Sequence, residues 1–158
     1  MGIIYESFIK ETDKTIEEKY VDIVIEYLLH IYYKNLSPFI IIRGIDTISH
    51  VFIMFLYYTQ NLETVYNYSQ KSLYLYTEFI EQISFDKNSF LQLTSKDAVI
   101  YVYKKTLYEI KSANCKKNEN TERHKKISLF IHRCKSILYL LIQEESINVE
   151  KVKNSLLS

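Results

Sequence analysis

Three polar residues, Arg43, Asp46 and His50, are spaced by three and four positions, so they share one face if the segment is helical. A histidine can exchange protons near neutral pH, and an arginine can stabilise the negative charge of a phosphorane. The same residues could instead form a structural network, in which Arg43 pairs with Glu78, Asp46 accepts a tyrosine hydroxyl and His50 is half-buried. Both hypotheses need a helical hairpin that turns near Asn61.

Six residues separate Arg43 from His50, which resembles the Arg-(four to six residues)-His signature of HEPN-type ribonucleases. The resemblance implies a small all-helical protein in which two such motifs meet across a dimer and cleave RNA without a metal ion. It covers eight residues, and Gly44 stands where the signature usually has a polar residue. A HEPN-like ribonuclease that uses Arg43 and His50 is therefore the first alternative function.

Metal ligands are sparse in this sequence. Two carboxylate–histidine pairs have a spacing of four residues that could share an ion, namely Glu26 with His30 and Asp46 with His50. A di-iron bundle needs a repeated Glu-x-x-His motif and two further glutamates, and this chain has no such repeat. Cys115 and Cys134 form no CxxC pair. We therefore expect no metal site and no cofactor.

The elements that must position these residues are helices, because only two glycines and one proline interrupt an apolar repeat of three to four positions. The sequence predicts an all-α helical bundle of about five main helices in a single domain over residues 1–158. The predicted helices run over about 16–34, from Pro38 to a turn near Asn61, and over about 62–83, 96–111 and 124–144. A mobile polar loop is predicted over 112–123, and a partly ordered tail over 145–158, with a short helix after Asn148.

Three details of the predicted packing can be tested directly. Gly44 lies inside an apolar helical pattern, which indicates either a close crossing of two helices or a break in the helix. In the helix over 96–111, the apolar spacing predicts a buried stripe made of Val99, Val102, Tyr103, Thr106 and Ile110. In the helix over 124–144, it predicts that Cys134 and Phe130 are buried while Arg133 and Lys126 are exposed.

Charge is unevenly distributed along the chain. Residues 1–94 hold 7 Lys and Arg against 12 Asp and Glu, whereas residues 95–158 hold 13 against 7. The basic excess is concentrated at Lys116, Lys117, Arg123, Lys125, Lys126, Arg133 and Lys135. These residues could contact phosphates, so nucleic-acid binding through this basic patch is the second alternative function. Phe130 interrupts the patch but is predicted to face the core, so it offers no surface for base stacking.

The chain has 15 tyrosines, more than one small core can bury. Exposed aromatic helix faces usually mark contacts between proteins. The preferred hypothesis is therefore a non-enzymatic helical binding or scaffold protein that acts through aromatic helix faces. A homodimer is the expected assembly, with a different protein as the other possible partner.

No membrane partner is expected from the hydropathy pattern. The longest uncharged run, Thr47–Leu62, is 16 residues long and contains polar side chains, which is short of the ~20 apolar residues that span a bilayer. The N-terminal region shows no basic segment followed by a long apolar run. We expect a soluble intracellular protein.

One resemblance concerns about half of the chain. The segment IRGIDTISHVFIMFLYYTQNLETVYNYSQKSLYLYTEFIEQI (42–83), continued by SFLQLTSKDAVIYVYKKTLYEI (89–110), resembles uncharacterised helical proteins encoded by large DNA viruses of protists. The resemblance implies a viral protein that acts in the infected host cell or in the virion. No activity follows from it.

Overall fold

A computed structural model of the chain describes residues 14–31, 38–83, 95–113, 116–117, 119–143 and 148–158. These described residues form six helices and no strand. They are α1 (Ile16–Ile31), α2 (Pro38–Tyr58), α3 (Leu62–Ile83), α4 (Ser95–Ser112), α5 (Thr121–Leu141) and α6 (Val149–Leu157). The prediction of an all-α, single-domain bundle is confirmed.

Several helices begin where the sequence predicts, because side chains satisfy the first free N–H groups. Thr15 caps α1: its hydroxyl accepts the N–H of Glu18 at 3.2 Å and also contacts the Glu18 carboxylate. Asn61 caps α3 by accepting the N–H of Thr64. Asn148 caps α6 in the same way. The turn near Asn61 therefore joins α2 and α3 as predicted.

The polar segment between α4 and α5 is shorter than the predicted loop over 112–123. Helix α4 includes Ser112, and α5 begins at Thr121. The reason is the side chain of Asn120, which accepts the N–H of Arg123 and so caps α5 before the apolar repeat starts. Cys115 lies outside the described residues.

Part of the predicted tail over 145–158 packs as a helix; the structure describes residues 148–158 of it. Helix α6 packs against α1 and α5, and it buries Val152 and Leu156. Arg133 of α5 donates hydrogen bonds to the main-chain oxygens of Leu156 and Ser158, at the end of α6 where acceptors lack a partner within the helix. The helix that was predicted after Asn148 is thus part of the packed bundle.

Helix α2 is the centre of the bundle, since α1, α3, α4 and α5 all pack against it. Its segment Ile40–Tyr58 is long and apolar enough to cross a membrane, with a mean hydropathy of 1.6, even though it includes Arg43 and Asp46. In the bundle, 61% of this segment is buried. Helices that are apolar on every side are also typical of protein cores, and the packing gives α2 that role here.

Gly44 marks a close crossing of α1, α2 and α3, and α2 continues through it without a break. A Cβ atom at this position would lie 1.8 Å from the hydroxyl oxygen of Tyr27 and 2.6 Å from Cε1 of Tyr76. Both tyrosine rings are buried. The first of the two interpretations of Gly44, a close helix crossing, is therefore correct.

Three buried tyrosines attach their hydroxyl groups to oxygen atoms of α2. The hydroxyl of Tyr27 donates to the carbonyl of Ile41 at 3.3 Å, and that of Tyr76 donates to the carbonyl of Ile40 at 3.0 Å. The hydroxyl of Tyr20 lies 2.6 Å from the Ser49 hydroxyl. Burial raises the pKa of each of these tyrosines above its usual range. They remain neutral donors, as a buried phenol must.

The buried face of α4 agrees with the predicted stripe at three positions and differs from it at two. Val102, Thr106 and Ile110 are buried as predicted, whereas Tyr103 is exposed and Val99 is only half-buried. Ala98, which the prediction left out, is buried. The buried residues recur every four positions on the face that packs onto α2 and α3, and residues 99 and 103 lie to one side of it.

We expect Gly44→Ala to destabilise the protein although alanine has a better helix propensity by about 1 kcal/mol. The new methyl group would overlap two buried aromatic rings that have no space to move, and overpacking of this kind costs about 1–3 kcal/mol or more. The expected net loss in the free energy of unfolding is therefore about 2 kcal/mol, measured by urea denaturation followed by circular dichroism.

Asn67→Ala is the matched control, because residue 67 is exposed in α3 and the substitution brings alanine into a helix without a steric clash. Its stability should equal or slightly exceed that of the wild type. A Gly44→Ala variant as stable as Asn67→Ala would show that the crossing at Gly44 is not tight.

Candidate functional site: a groove between α2 and α4

A groove of about 630 Å³ lies between α2 and α4. Helices α4 and α5 both pack against α2, but among the described helices they do not contact each other. One side of α2 therefore stays uncovered, and Asp46 and His50 line the groove there. The opposite wall comes from α4 and consists of Val99, Ile100, Tyr103, Lys104 and Leu107. The groove is thus mostly apolar, with polar groups along α2.

Asp46 and His50 are held in place by defined contacts. The Nζ atom of Lys135, from α5, lies 2.6 Å from Oδ1 of Asp46. The Nδ1 atom of His50 lies 2.7 Å from the backbone oxygen of Asp46 and 3.8 Å from its carboxylate. If Nδ1 carries the proton, it donates to that carbonyl, and Nε2 becomes the ring atom able to accept a proton. The side chain of His50 is 54% exposed.

This arrangement corrects two parts of the predicted structural network. Asp46 pairs with Lys135 rather than with a tyrosine hydroxyl, because α5 packs against α2 and brings this lysine within 2.6 Å of the carboxylate. His50 is exposed rather than half-buried, because it faces the groove beside α4. The ribonuclease hypothesis requires a histidine that RNA can reach, and the exposed side chain of His50 meets this condition.

Arg43 lies on the same face of α2, two helical turns before His50, and it is half-buried. Its positive charge acts on Tyr76: burial raises the pKa of Tyr76, and the nearby guanidinium partly opposes that rise. The Glu78 carboxylate, predicted to pair with Arg43, accepts a hydrogen bond from Tyr101, whose pKa is raised mainly by burial and further by this carboxylate. The approach of Arg43 to Glu78 stays a prediction.

A second groove, of about 570 Å³, lies on the other side of α4, between α4 and α3. Tyr74 and Glu78 line it from α3, and Lys105 and Tyr108 line it from α4. Lys71 of α3 lies 3.7 Å from Glu109 of α4 and above the Tyr68 ring, so it spans the two helices.

Helix α4 thus stands as a ridge with a groove on each side. We define the α4 ridge as Ile100, Tyr103, Lys104, Leu107 and Tyr108, which line one groove or the other. Tyr108 is the most exposed large apolar residue described, with 74% of its surface accessible. The prediction placed Tyr103 in the core and therefore missed this surface. The signal that could have found it is the four-residue spacing of Ala98, Val102, Thr106 and Ile110, which defines a buried face without Tyr103.

The predicted basic residues do not form one continuous patch. Lys135 is directed to Asp46 in the first groove, and Arg133 binds the end of α6 and stacks on Phe130. Lys117 lies above the ring of Tyr57 at 4.8 Å. Lys116, Lys125 and Lys126 are exposed, and Arg123 is half-buried. The residues that remain available on the outside of α5 are Lys125, Lys126 and, in part, Arg133.

No protein family, curated protein or solved structure matches this chain in any of the three comparisons. The function must therefore be argued from the geometry. Within the described part of the chain, no group of three or more His, Cys, Asp or Glu side chains is arranged to hold a metal ion. Two carboxylate–histidine pairs, Glu26 with His30 and Asp46 with His50, have the spacing to share a metal ion. Both carboxylates have other partners, because Glu26 accepts hydrogen bonds from Gln70 and Asp46 pairs with Lys135.

Cys134 is buried in the core, as predicted for the apolar face of α5, and Arg133 and Lys126 are exposed. Phe130 is partly buried and packs against the core. Burial raises the pKa of the Cys134 thiol to about 11, with a smaller opposing effect from Arg133. A thiol in this state is a poor nucleophile at neutral pH, which argues against a catalytic cysteine.

The raised pKa of Cys134 predicts that stability falls at alkaline pH. Between about pH 9 and pH 11 the unfolded chain releases the thiol proton while the folded protein retains it. The contribution is therefore complete below about pH 9 and is lost as the pH rises through this window, by at most about 1.4 kcal/mol per pH unit. Urea midpoints measured at pH 8, 9 and 10 by circular dichroism would show it.

Cys134→Ala is the control, because it removes the titrating group and leaves the buried tyrosines, which ionise at higher pH. The variant should lose less stability than the wild type between pH 9 and 10. Identical pH profiles for the two proteins, or rapid labelling of Cys134 by a thiol reagent at pH 7, would contradict the burial of this residue.

Proposed function

We propose that this protein is a self-associating helical binding protein and that its contact surface is the α4 ridge with the two grooves beside it. The observation that carries the proposal is the exposure of apolar and aromatic side chains on a helix bordered by two largely apolar grooves. Contiguous apolar surfaces of this kind usually mark contacts between proteins. The resemblance to viral proteins supports a role in an infected cell and adds nothing on activity.

A second copy of the chain fits this surface better than an unrelated partner. A convex ridge next to a concave groove is self-complementary, since a two-fold axis would place the ridge of each copy in a groove of the other. Charges favour the same arrangement, because Lys104 on the ridge and Glu78 in the α3–α4 groove are both exposed. Such pairs would orient the two copies, while the apolar contacts would supply most of the affinity.

The first test is the molar mass of the purified chain by light scattering after size-exclusion chromatography. We expect a dimer at micromolar concentration that persists in ~0.5 M salt, because salt screens exposed charge pairs but not apolar contacts. Tyr103→Glu and Ile100→Glu should each give a monomer, because each places a charge in the proposed apolar interface.

Leu29→Glu is the matched control, because Leu29 is 60% exposed on α1, away from the ridge. This variant should remain dimeric. A wild-type monomer at high protein concentration would contradict the proposal and favour a different protein on the ridge. A dimer that survives both ridge variants would place the interface elsewhere on the molecule.

A metal-independent ribonuclease is the second candidate, and the exposure of His50 in the groove beside α4 favours it. In a dimer formed through this groove, the His50 side chains of both copies would lie close to the contact. His50 could then take a proton from a ribose hydroxyl and Arg43 could stabilise the negative charge on the phosphate. The tie between Asp46 and Lys135 would hold the groove in shape.

We nevertheless expect purified protein to leave single-stranded RNA intact in the presence of EDTA, because Arg43 is half-buried at the α2–α3 contact rather than open to the groove floor. Cleavage that is lost in both Arg43→Ala and His50→Ala, with helicity retained by circular dichroism, would replace the binding proposal. His132→Ala is the control for a trace contaminant, since residue 132 is an exposed histidine on α5.

A further inference from the structure

A second surface of the protein lies on the outer side of α5, away from the core. Ile127, Ile131, Cys134 and Leu138 occupy the buried face of this helix. The opposite face carries residues at positions 125, 126, 129, 133 and 140, which fall within roughly one third of the helix circumference at 3.6 residues per turn. We define the α5 outer face as Lys125, Lys126, Leu129, Arg133 and Leu140.

Two leucines on this face are among the most exposed apolar side chains described. Leu129 is 72% accessible and Leu140 is 70% accessible. Leu129 precedes Arg133 and Leu140 follows it along α5, and both point away from the core. Isolated exposed leucines are common, but here they recur at a spacing that keeps both on one face with the lysines.

Most of α5 carries positive charges without negative ones. Residues 123–143 contain five lysines and arginines and no aspartate or glutamate. Glu122, at the start of α5, falls on the same side of the helix and lies 4.0 Å from Lys125, so it offsets one of the positive charges there. Arg133 binds main-chain oxygens at the end of α6 and is itself exposed. The face therefore keeps a net positive charge, which favours an anionic partner.

We propose that the α5 outer face docks on the surface of an anionic lipid bilayer, with Leu129 and Leu140 inserted between headgroups and the basic residues above the phosphates. A bilayer is flat and deformable, so it can receive two separate leucines from a convex helix, which a protein partner could do only with a matching pocket. Basic and apolar residues on one helix face are the combination that binds such surfaces.

Nucleic acid is the main competing partner, and it would use only half of this surface. Phosphate contacts need the lysines and the arginine, but they leave two leucines exposed to water. The expectation of no membrane partner concerns segments that cross a bilayer, whereas docking on a bilayer surface needs no such segment.

The test is sedimentation of the full chain with vesicles of phosphatidylcholine, with or without ~30% phosphatidylserine. We expect binding to the anionic vesicles at ~0.1 M salt, little binding to pure phosphatidylcholine, and weaker binding as salt is added. Lys126→Glu should weaken binding roughly 30-fold because it reverses one charge at the contact. Leu129→Ser combined with Leu140→Ser should weaken it about tenfold without changing the charge.

Two control variants match these changes elsewhere on the surface. Lys111→Glu reverses an exposed lysine on α4, and Leu29→Ser removes an exposed leucine on α1. Both should bind like the wild type. Equal binding to both kinds of vesicle, or no binding to anionic vesicles, would overturn the proposal.

A parallel titration with a single-stranded RNA oligonucleotide distinguishes the competing partner. If the face binds nucleic acid, RNA binding should be lost in Lys126→Glu and kept in the double leucine variant, and the leucine substitutions should not affect vesicle binding. That combination of results would assign this face to phosphate binding rather than to lipid binding. Light scattering on the same variants checks that dimer formation through the α4 ridge is unchanged. The dimer proposal and the bilayer-docking proposal can therefore fail independently of each other.

Discussion

The structure depends on burying tyrosine rings against α2 without leaving their hydroxyl groups unpaired. An unpaired buried hydroxyl is costly, and each of the three rings meets an oxygen on α2: Tyr27 and Tyr76 donate to backbone carbonyls, and Tyr20 contacts Ser49. The rings can approach the backbone this closely only because residue 44 has no side chain. The crossing of α1, α2 and α3 therefore depends on the missing side chain at Gly44 and on the hydrogen bonds that the tyrosine hydroxyl groups make to α2.

Once α2 is central, the positions of the remaining helices follow from which of its sides are still open. Helix α4 covers the side next to α3, and α5 covers the side next to α1. A gap remains between α4 and α5. Beside it, the charged pair of Asp46 and Lys135 joins α2 to α5, and a partly exposed ion pair of this kind adds little stability. The groove beside His50 is thus a consequence of how α2 is covered.

The two proposed contact surfaces differ in their physical character. The α4 ridge is aromatic, lies between two grooves and carries both signs of charge nearby, which suits a partner of fixed shape. The α5 outer face is convex and basic, with two separate leucines, which suits a surface that can deform. Since α4 and α5 both pack against α2 and do not contact each other, a dimer formed through the first surface need not cover the second.

The sequence alone determined the helices, because helix formation depends on local spacing and capping: α3 was predicted with its observed bounds, and Thr15, Asn61 and Asn148 were identified at helix starts. It also identified the buried face of α5 around Cys134. On α4 it identified Val102, Thr106 and Ile110 but could not exclude Val99 and Tyr103, because these are apolar as well. The packing of α4 onto α2 and α3 left Tyr103 exposed. Nor could it pair Asp46 with Lys135, since 89 positions separate them and only the packing of α5 on α2 brings the two charges together.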